Sequence, residues 1–216
     1  LTGPRRNCFN AGPCSRTHMK LGVVSVQGAF PEHIVSSVKA MRKLGVKGEA
    51  RPVRRLSDLE GVDAVIIPGG ESTTIAKLLW RFGMHQRLVE MAGEGAPIMG
   101  TCAGLVLLAK EGDDQVEKTE TKLLALMDMA VDRNAFGRQR ESFEAELMID
   151  GLDSPFPAVF IRAPVITRVW GGCRVTSRYN DNIVMARQGN LMALSFHPEL
   201  SHDTRMHELL ISLVER

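Results

Sequence analysis

Gly100-Thr101-Cys102-Ala103-Gly104 sets a cysteine among small residues, after the short apolar run Pro97-Ile98-Met99 and before a helical pattern carrying Leu105 and Leu108. A nucleophile on a tight strand-to-helix turn has the logic of a nucleophile elbow, with sulfur replacing the serine hydroxyl. Gly100 and Gly104 remove side chains that would collide in the turn. Cys102 then stands over a helix N-terminus, where unpaired N–H groups and the helix dipole favour a thiolate. The backbone N–H of Ala103 is a candidate oxyanion donor. A cysteine nucleophile needs a base, and the base needs an orienting acid. Ser195-Phe196-His197-Pro198-Glu199 ends the apolar stretch 191–196. Residues two apart on an extended segment share a side, so Glu199 can orient the His197 imidazole.

A third block is Pro68-Gly69-Gly70-Glu71-Ser72-Thr73-Thr74. It follows the buried-strand pattern of 62–67 and precedes a helix, the usual place for ligand sites in open α/β sheets. Gly70 is a candidate second oxyanion donor. The block lacks GxxxxGK[ST], so it is not a phosphate loop. Ser72 reads as the helix N-cap. Arg133 and Arg162 follow apolar runs. Either suits an α-carboxylate, although residue type alone does not separate that role from surface solvation. His18, His33, His85, His202 and His207 show no metal-ligand spacing, and His202 and His207 read as a solvated face. Trp80 and Trp170 read as packing residues.

The elements that must position these groups are written as alternation. Strand patterns at 20–26, 62–67 and 97–99 are interleaved with helical ones. One helix spans 31–44, with Pro31 in its first turn and Gly45 as its stop. Further helices start near Ser72, at 84 and after Gly104. Such alternation implies a parallel sheet with right-handed crossovers. Short strands follow near 142–149, 158–162, 173–177, 182–187 and 191–196. A helix over 205–214 closes the chain. The stretch 111–120 reads as a solvated loop or helix end without function. The expectation is one α/β domain over 19–216 with an antiparallel extension.

Residues 1–18 differ from the rest, being rich in Gly, Pro, Arg and Asn without apolar periodicity. They read as a disordered leader before a native start at Met19, and Cys8 and Cys14 go with it rather than forming a metal or redox pair. The chain has 216 residues, 44% hydrophobic and 24% charged, enough for a full core without disulfides. Net charge is +2. Without Arg5, Arg6 and Arg16 the remainder is near neutral, which gives no support to a nucleic-acid partner. No apolar run approaches the ~20 residues of a membrane span. Four cysteines fit neither a disulfide scaffold nor a zinc pattern, which points to a reducing cytoplasm.

Read together, VVSVQGAFPEH, IPGGESTTIAKLL, GTCAGLVLLAKE, VDRNAFGRQRESFEAEL, VFIRAP and SFHPEL resemble the glutaminase-subunit family of two-subunit pyridoxal 5′-phosphate synthases, within the triad-type (class I) glutamine amidotransferases. The resemblance runs from Met19 to the end. It implies a flavodoxin-like, three-layer α/β fold: an open, mostly parallel sheet with helices on both faces. It implies hydrolysis of L-glutamine to glutamate and ammonia, with ammonia passed to a synthase subunit that builds pyridoxal 5′-phosphate. Cys102 would be the nucleophile, His197 the acid/base and Glu199 the orienter. Gly70, Glu71, Ser72, Arg133, Ile161 and Arg162 would contact glutamine. No metal or cofactor is implied. The resemblance also implies weak activity alone, and places Gln27 and Gly28 near the partner interface. Rival readings are the glutaminase of imidazole glycerol phosphate synthase, a non-catalytic interaction subunit, and a cysteine hydrolase of the same fold acting on other amides.

Overall fold

A computed structural model of the chain describes residues 18–133 and 142–214. Cys8, Cys14, the leader before His18 and the FGRQ block lie outside the described residues. In chain order the elements are β1 (Met19–Val24), α1 (Phe30–Leu44), β2 (Gly48–Val53), a 3-10 turn (Leu56–Leu59), β3 (Ala64–Ile67), α2 (Ser72–Arg81), α3 (Met84–Gly93), β4 (Ile98–Thr101) and α4 (Ala103–Leu108). Then come β5 (Ala109–Glu111), α5 (Asp114–Lys118), β6 (Met127–Asp132), β7 (Phe143–Leu147), β8 (Phe156–Phe160), β9 (Val165–Val169) and β10 (Arg174–Tyr179). The chain closes with β11 (Asn182–Gln188), β12 (Leu191–Leu194), a second 3-10 turn (Pro198–Leu200) and α6 (Arg205–Ser212).

The main sheet runs β2-β1-β3-β4-β12-β11-β9-β6-β5, with β10 paired to β11. Its first five strands are all parallel. From β12 onward β11, β9, β10 and β6 pair antiparallel, and β7 and β8 form a separate hairpin. The parallel strands are buried on both faces, so their residues alternate between two cores. Val65 and Ile67 pack with α2, α3 and α4, while Ala64 and Ile66 pack with α1, α6 and the β7–β8 hairpin. That arrangement is the expected α/β fold with helices on both faces and an antiparallel extension.

Local chemistry sets the helix ends. Pro occupies the first turn of α1, and Gly45 closes it in the left-handed conformation (φ 67°), its N–H reaching the Arg42 carbonyl. The expected cap at Ser72 is corrected: Ser72 is the first helical residue, and the Glu71 carboxylate caps α2. It accepts from Thr73 N at 3.0 Å and Thr74 N at 2.6 Å. A carboxylate there satisfies two free N–H groups and opposes the helix dipole, which a hydroxyl does less strongly. Four strands escape the sequence reading: β2, β5, β6 and β9. β2 is an edge strand carrying Pro52, with only Val53 buried, so its apolar alternation is weak.

Candidate active site

The loops after β1, β3, β4 and β12 meet at the carboxyl ends of the parallel strands. The strand order reverses between β1 and β3, the place where such sheets open a crevice. Gln27, after β1, bridges this point: its Oε1 accepts from Glu71 N at 2.8 Å.

Cys102 sits at the end of β4 with φ 48° and ψ −104°. A non-glycine residue held there stores about 1–3 kcal/mol of strain. The fold imposes it through Cys102 N, which donates to Leu194 O at 2.8 Å, and through Val106 N, which donates to Cys102 O at 3.3 Å. The glycines around it are required by approach. A β-carbon on Gly100 would lie 2.5 Å from the Gly104 carbonyl oxygen, and one on Gly104 would overlap Ile67 O. The Cys102 side chain is left at the cavity edge, 9% exposed, with Sγ 3.9 Å from Ile161 O.

His197 follows β12. Its Nδ1 is 2.7 Å from Glu199 Oε1, and both residues are buried. Pro198 starts the second 3-10 turn and folds Glu199 back beneath the imidazole. Burial alone would lower the His197 pKa; hydrogen bonds with Cys102 and Glu199, and their charges, outweigh it and push it up to about 10. With Nδ1 on the carboxylate, Nε2 is left for the sulfur. Burial would raise the Glu199 pKa, yet His33 and His197 hold it well below the usual carboxylate range. The arrangement favours a thiolate–imidazolium pair backed by a carboxylate.

A cavity of about 470 Å³ opens beside Cys102 and His197. Its wall brings together Gly70, Glu71, Ser72, Ala103, Arg133, Ile161 and Arg162, all singled out in the sequence. Glu199 stands behind His197. Arg162 lies past the end of β8, in a turn with φ 43°. Arg133 NH1 is held by Thr119 Oγ1 at 3.0 Å, and its NH2 approaches Glu71 Oε1 at 3.4 Å. Asp113 Oδ2 accepts from Arg133 N at 3.0 Å. The 111–120 stretch is therefore corrected: α5 and the threonines after it hold Arg133 at the cavity, a role that a charged, polar segment does not announce. A larger recess of about 590 Å³ around Arg174 and Arg187 has no cysteine or histidine among its described lining residues.

Several site residues are absent from the sequence reading. Val106 and Pro164 complete the wall. Gly69, already part of the glycine block read in the sequence, packs its backbone against Cys102 and His197. The most consequential omission is His33, fully buried and 3.2 Å from Glu199 Oε2. The expected solvated face at His207 is corrected too, since His207 is fully buried beside His33. The Phe30–Leu44 and Arg205–Ser212 helices pack on each other, and that packing, not the local sequence, encloses both rings. Among the described residues no group of three or more His, Cys, Asp or Glu could hold a metal ion.

Known proteins share this fold and sequence. A solved structure described as a glutamine amidotransferase matches with TM-score 0.79 at 45% identity, covering 90% of this chain and 98% of that one. A glutamine amidotransferase from Thermotoga maritima, only 14% identical, shares the fold with TM-score 0.60, over 92% of this chain and 97% of that one. The fold is that of a class I glutamine amidotransferase. The model of the SNO glutamine amidotransferase family matches residues 23–216. "Pyridoxal 5′-phosphate synthase subunit PdxT" of Archaeoglobus fulgidus is 52% identical over 197 residues, 91% of this chain and 99% of that protein. The protein of the same name from Methanosarcina acetivorans is 50% identical over 196 residues, 91% of this chain and 98% of that one. The chain belongs to the SNO glutamine amidotransferase family.

Proposed function

We propose that Cys102, His197 and Glu199 are the catalytic triad of a glutaminase built on residues 19–216. The chain is a glutaminase subunit that supplies ammonia for pyridoxal 5′-phosphate synthesis. Its partner in this reading is the synthase subunit that consumes the ammonia, met near Gln27 and Gly28. A thiolate nucleophile suits a compartment that keeps thiols reduced, so the cytoplasm is its place. No helix among the described residues is long and apolar enough to cross a membrane.

Glutamine brings an α-carboxylate, an α-ammonium and a carboxamide. Arg133 pairs with the carboxylate, and Glu71 supplies negative charge towards the ammonium. Ser72, Ile161 and Arg162 close around the chain. The Cys102 thiolate attacks the carboxamide carbon, and N–H groups of Gly70 and Ala103 receive the oxyanion. His197 gives its proton to the departing nitrogen, the C–N bond breaks, and ammonia and a glutamyl thioester result. The neutral imidazole then takes a proton from water, whose oxygen attacks the thioester, and glutamate leaves as the thiolate is restored.

The observation that carries this reading is the 2.7 Å contact between His197 Nδ1 and Glu199 Oε1 at a cavity that also holds Cys102. The test is glutamate release from L-glutamine, with and without the synthase subunit, using Cys102→Ala as the blank. Release by the wild type, absent from the variant and raised by the partner, is expected. Turnover by Cys102→Ala at the wild-type rate would refute the assignment.

A further inference from the structure

Behind the triad lies a chain of buried polar groups that the glutaminase chemistry leaves unused. His33, on the Phe30–Leu44 helix, is fully buried. Its Nε2 is 3.2 Å from Thr101 Oγ1, in hydrogen-bond alignment, and 3.2 Å from Glu199 Oε2 as a less well-aligned ion-pair contact. Thr101 immediately precedes the nucleophile. One imidazole therefore touches both arms of the triad, the strand end that carries Cys102 and the carboxylate that carries His197. On its other side, His33 Nδ1 is 3.0 Å from Nε2 of His207, also fully buried.

We propose that His33 is a positioning residue for the triad: its Nε2–H holds Glu199 Oε2 from behind, so that Oε1 stays on His197, and His207 fixes which His33 nitrogen carries that proton. A buried imidazole on an apolar helix face, without a polar neighbour, would be a packing residue; here both ring nitrogens meet polar atoms. Burial and the neighbouring His33 push the His207 pKa down to about 3, although Glu199 opposes this, so His207 is neutral at physiological pH. A neutral His207 has one N–H. Its Nδ1 has no partner among the described residues. Placing the proton on Nε2 leaves only a bare acceptor there, which costs less than a buried unpaired donor. His207 then donates to His33 Nδ1, and the His33 proton resides on Nε2, shared between Thr101 Oγ1, with which it is aligned, and Glu199 Oε2, an acceptor that has no other hydrogen-bond partner among the described residues. The groups that face His33 are Thr101 from β4, Glu199 from the second 3-10 turn and His207 from α6. The Glu208 carboxylate of α6 is nearby but taken by Lys43 Nζ at 2.8 Å.

This inference rests on the triad reading, so its test uses one measurement that needs no glutamine. Iodoacetamide alkylation of Cys102 is followed against pH in a Cys8→Ser/Cys14→Ser background, beside kcat and KM for glutamine. Gln reaches the His33 Nε2 position with its amide nitrogen, whereas Asn reaches Nδ1 and Leu offers no donor. His33→Leu and His33→Asn are expected to lose roughly 10- to 100-fold in kcat, a part of the ~10²–10⁴ that acid–base catalysis supplies, with KM little changed. The pH dependence of alkylation should move, because a loosened Glu199 supports less imidazolium on His197. His33→Gln should recover most of both. Should His33→Leu fail to fold, the Gln and Asn pair still decides. Equal losses in all three variants with an unmoved alkylation profile would make His33 a packing residue and overturn the proposal, as would wild-type kcat in His33→Leu. A wild type inert towards glutamine both with and without the synthase subunit would instead overturn the glutaminase reading, while the alkylation profiles continued to test the positioning role.

Discussion

The backbone of Gly69 lies so close to His197 that a β-carbon there would come within 3.1 Å of Nδ1 and 3.3 Å of the Cys102 β-carbon. The loop after β3 is thus a wall against which the His197 imidazole rests. Gly69→Ala should displace the ring and lower kcat about 10²-fold, since misplacement of about 1 Å costs that much. Steady-state kinetics beside a thermal melt check it, with the loss in kcat expected to exceed what the change in Tm explains.

His197 and Glu199 should set the alkaline side of the pH profile. With the His197 pKa raised to about 10, the imidazolium proposed to protonate the leaving nitrogen persists to high pH. Glu199→Gln removes the charge and keeps the shape, so the alkaline limb of kcat/KM should move down. The same pKa, raised from an unfolded value near 6.5, contributes stability that is full below pH ~6.5 and lost as pH rises through about 10. Glu199→Ala should be milder than His197→Ala, because an orienter removed leaves the base in place. Equal losses would mean that Glu199 does more than orient.

Arg133 should act on binding more than on chemistry. Its guanidinium is set by Thr119 and approaches Glu71 at the cavity wall. Arg133→Leu should raise KM for glutamine about 10- to 100-fold, the 1.5–3 kcal/mol of a charged hydrogen bond. Arg133→Lys should restore little of it, because an ammonium lacks the planar fork. A KM unchanged in Arg133→Leu would exclude contact with the α-carboxylate.

His207 should make the fold acid-sensitive. Burial, first, and His33 beside it lower its pKa from 6.5 to about 3. The folded protein therefore takes up its proton later than the unfolded chain does. The stability this represents is present above pH ~6.5 and is lost as pH falls towards about 3. His207→Gln should give a shallower fall in Tm between pH 6.5 and 4. An identical slope in both proteins would mean that His207 does not titrate on unfolding.

Short-range features made much of the site legible. GTCAG and His-Pro-Glu are readable because an elbow and an i, i+2 pair are built by neighbouring residues, whose geometry obeys local sterics. Gly45 ended α1 for the same reason. The β2 strand was not legible, because an edge strand with one buried residue carries little apolar periodicity. Ser72 looked like a cap, but capping depends on which oxygen reaches the free N–H groups, and Glu71 reaches two.

Cys102, His197 and the roles that their residue types permit were set in the chain as written, since a thiol, an imidazole and tight turns can do only a few things. The company they keep was not. His33 and His207 stand 174 residues apart, and each looks like an ordinary polar residue in its own helix. Only the packing of those two helices takes both rings out of water, turning His33 towards Thr101 and Glu199 and setting His207 against His33. Burial and long-range contact decide whether a histidine is solvated or poised, and neither is a property of nearby sequence.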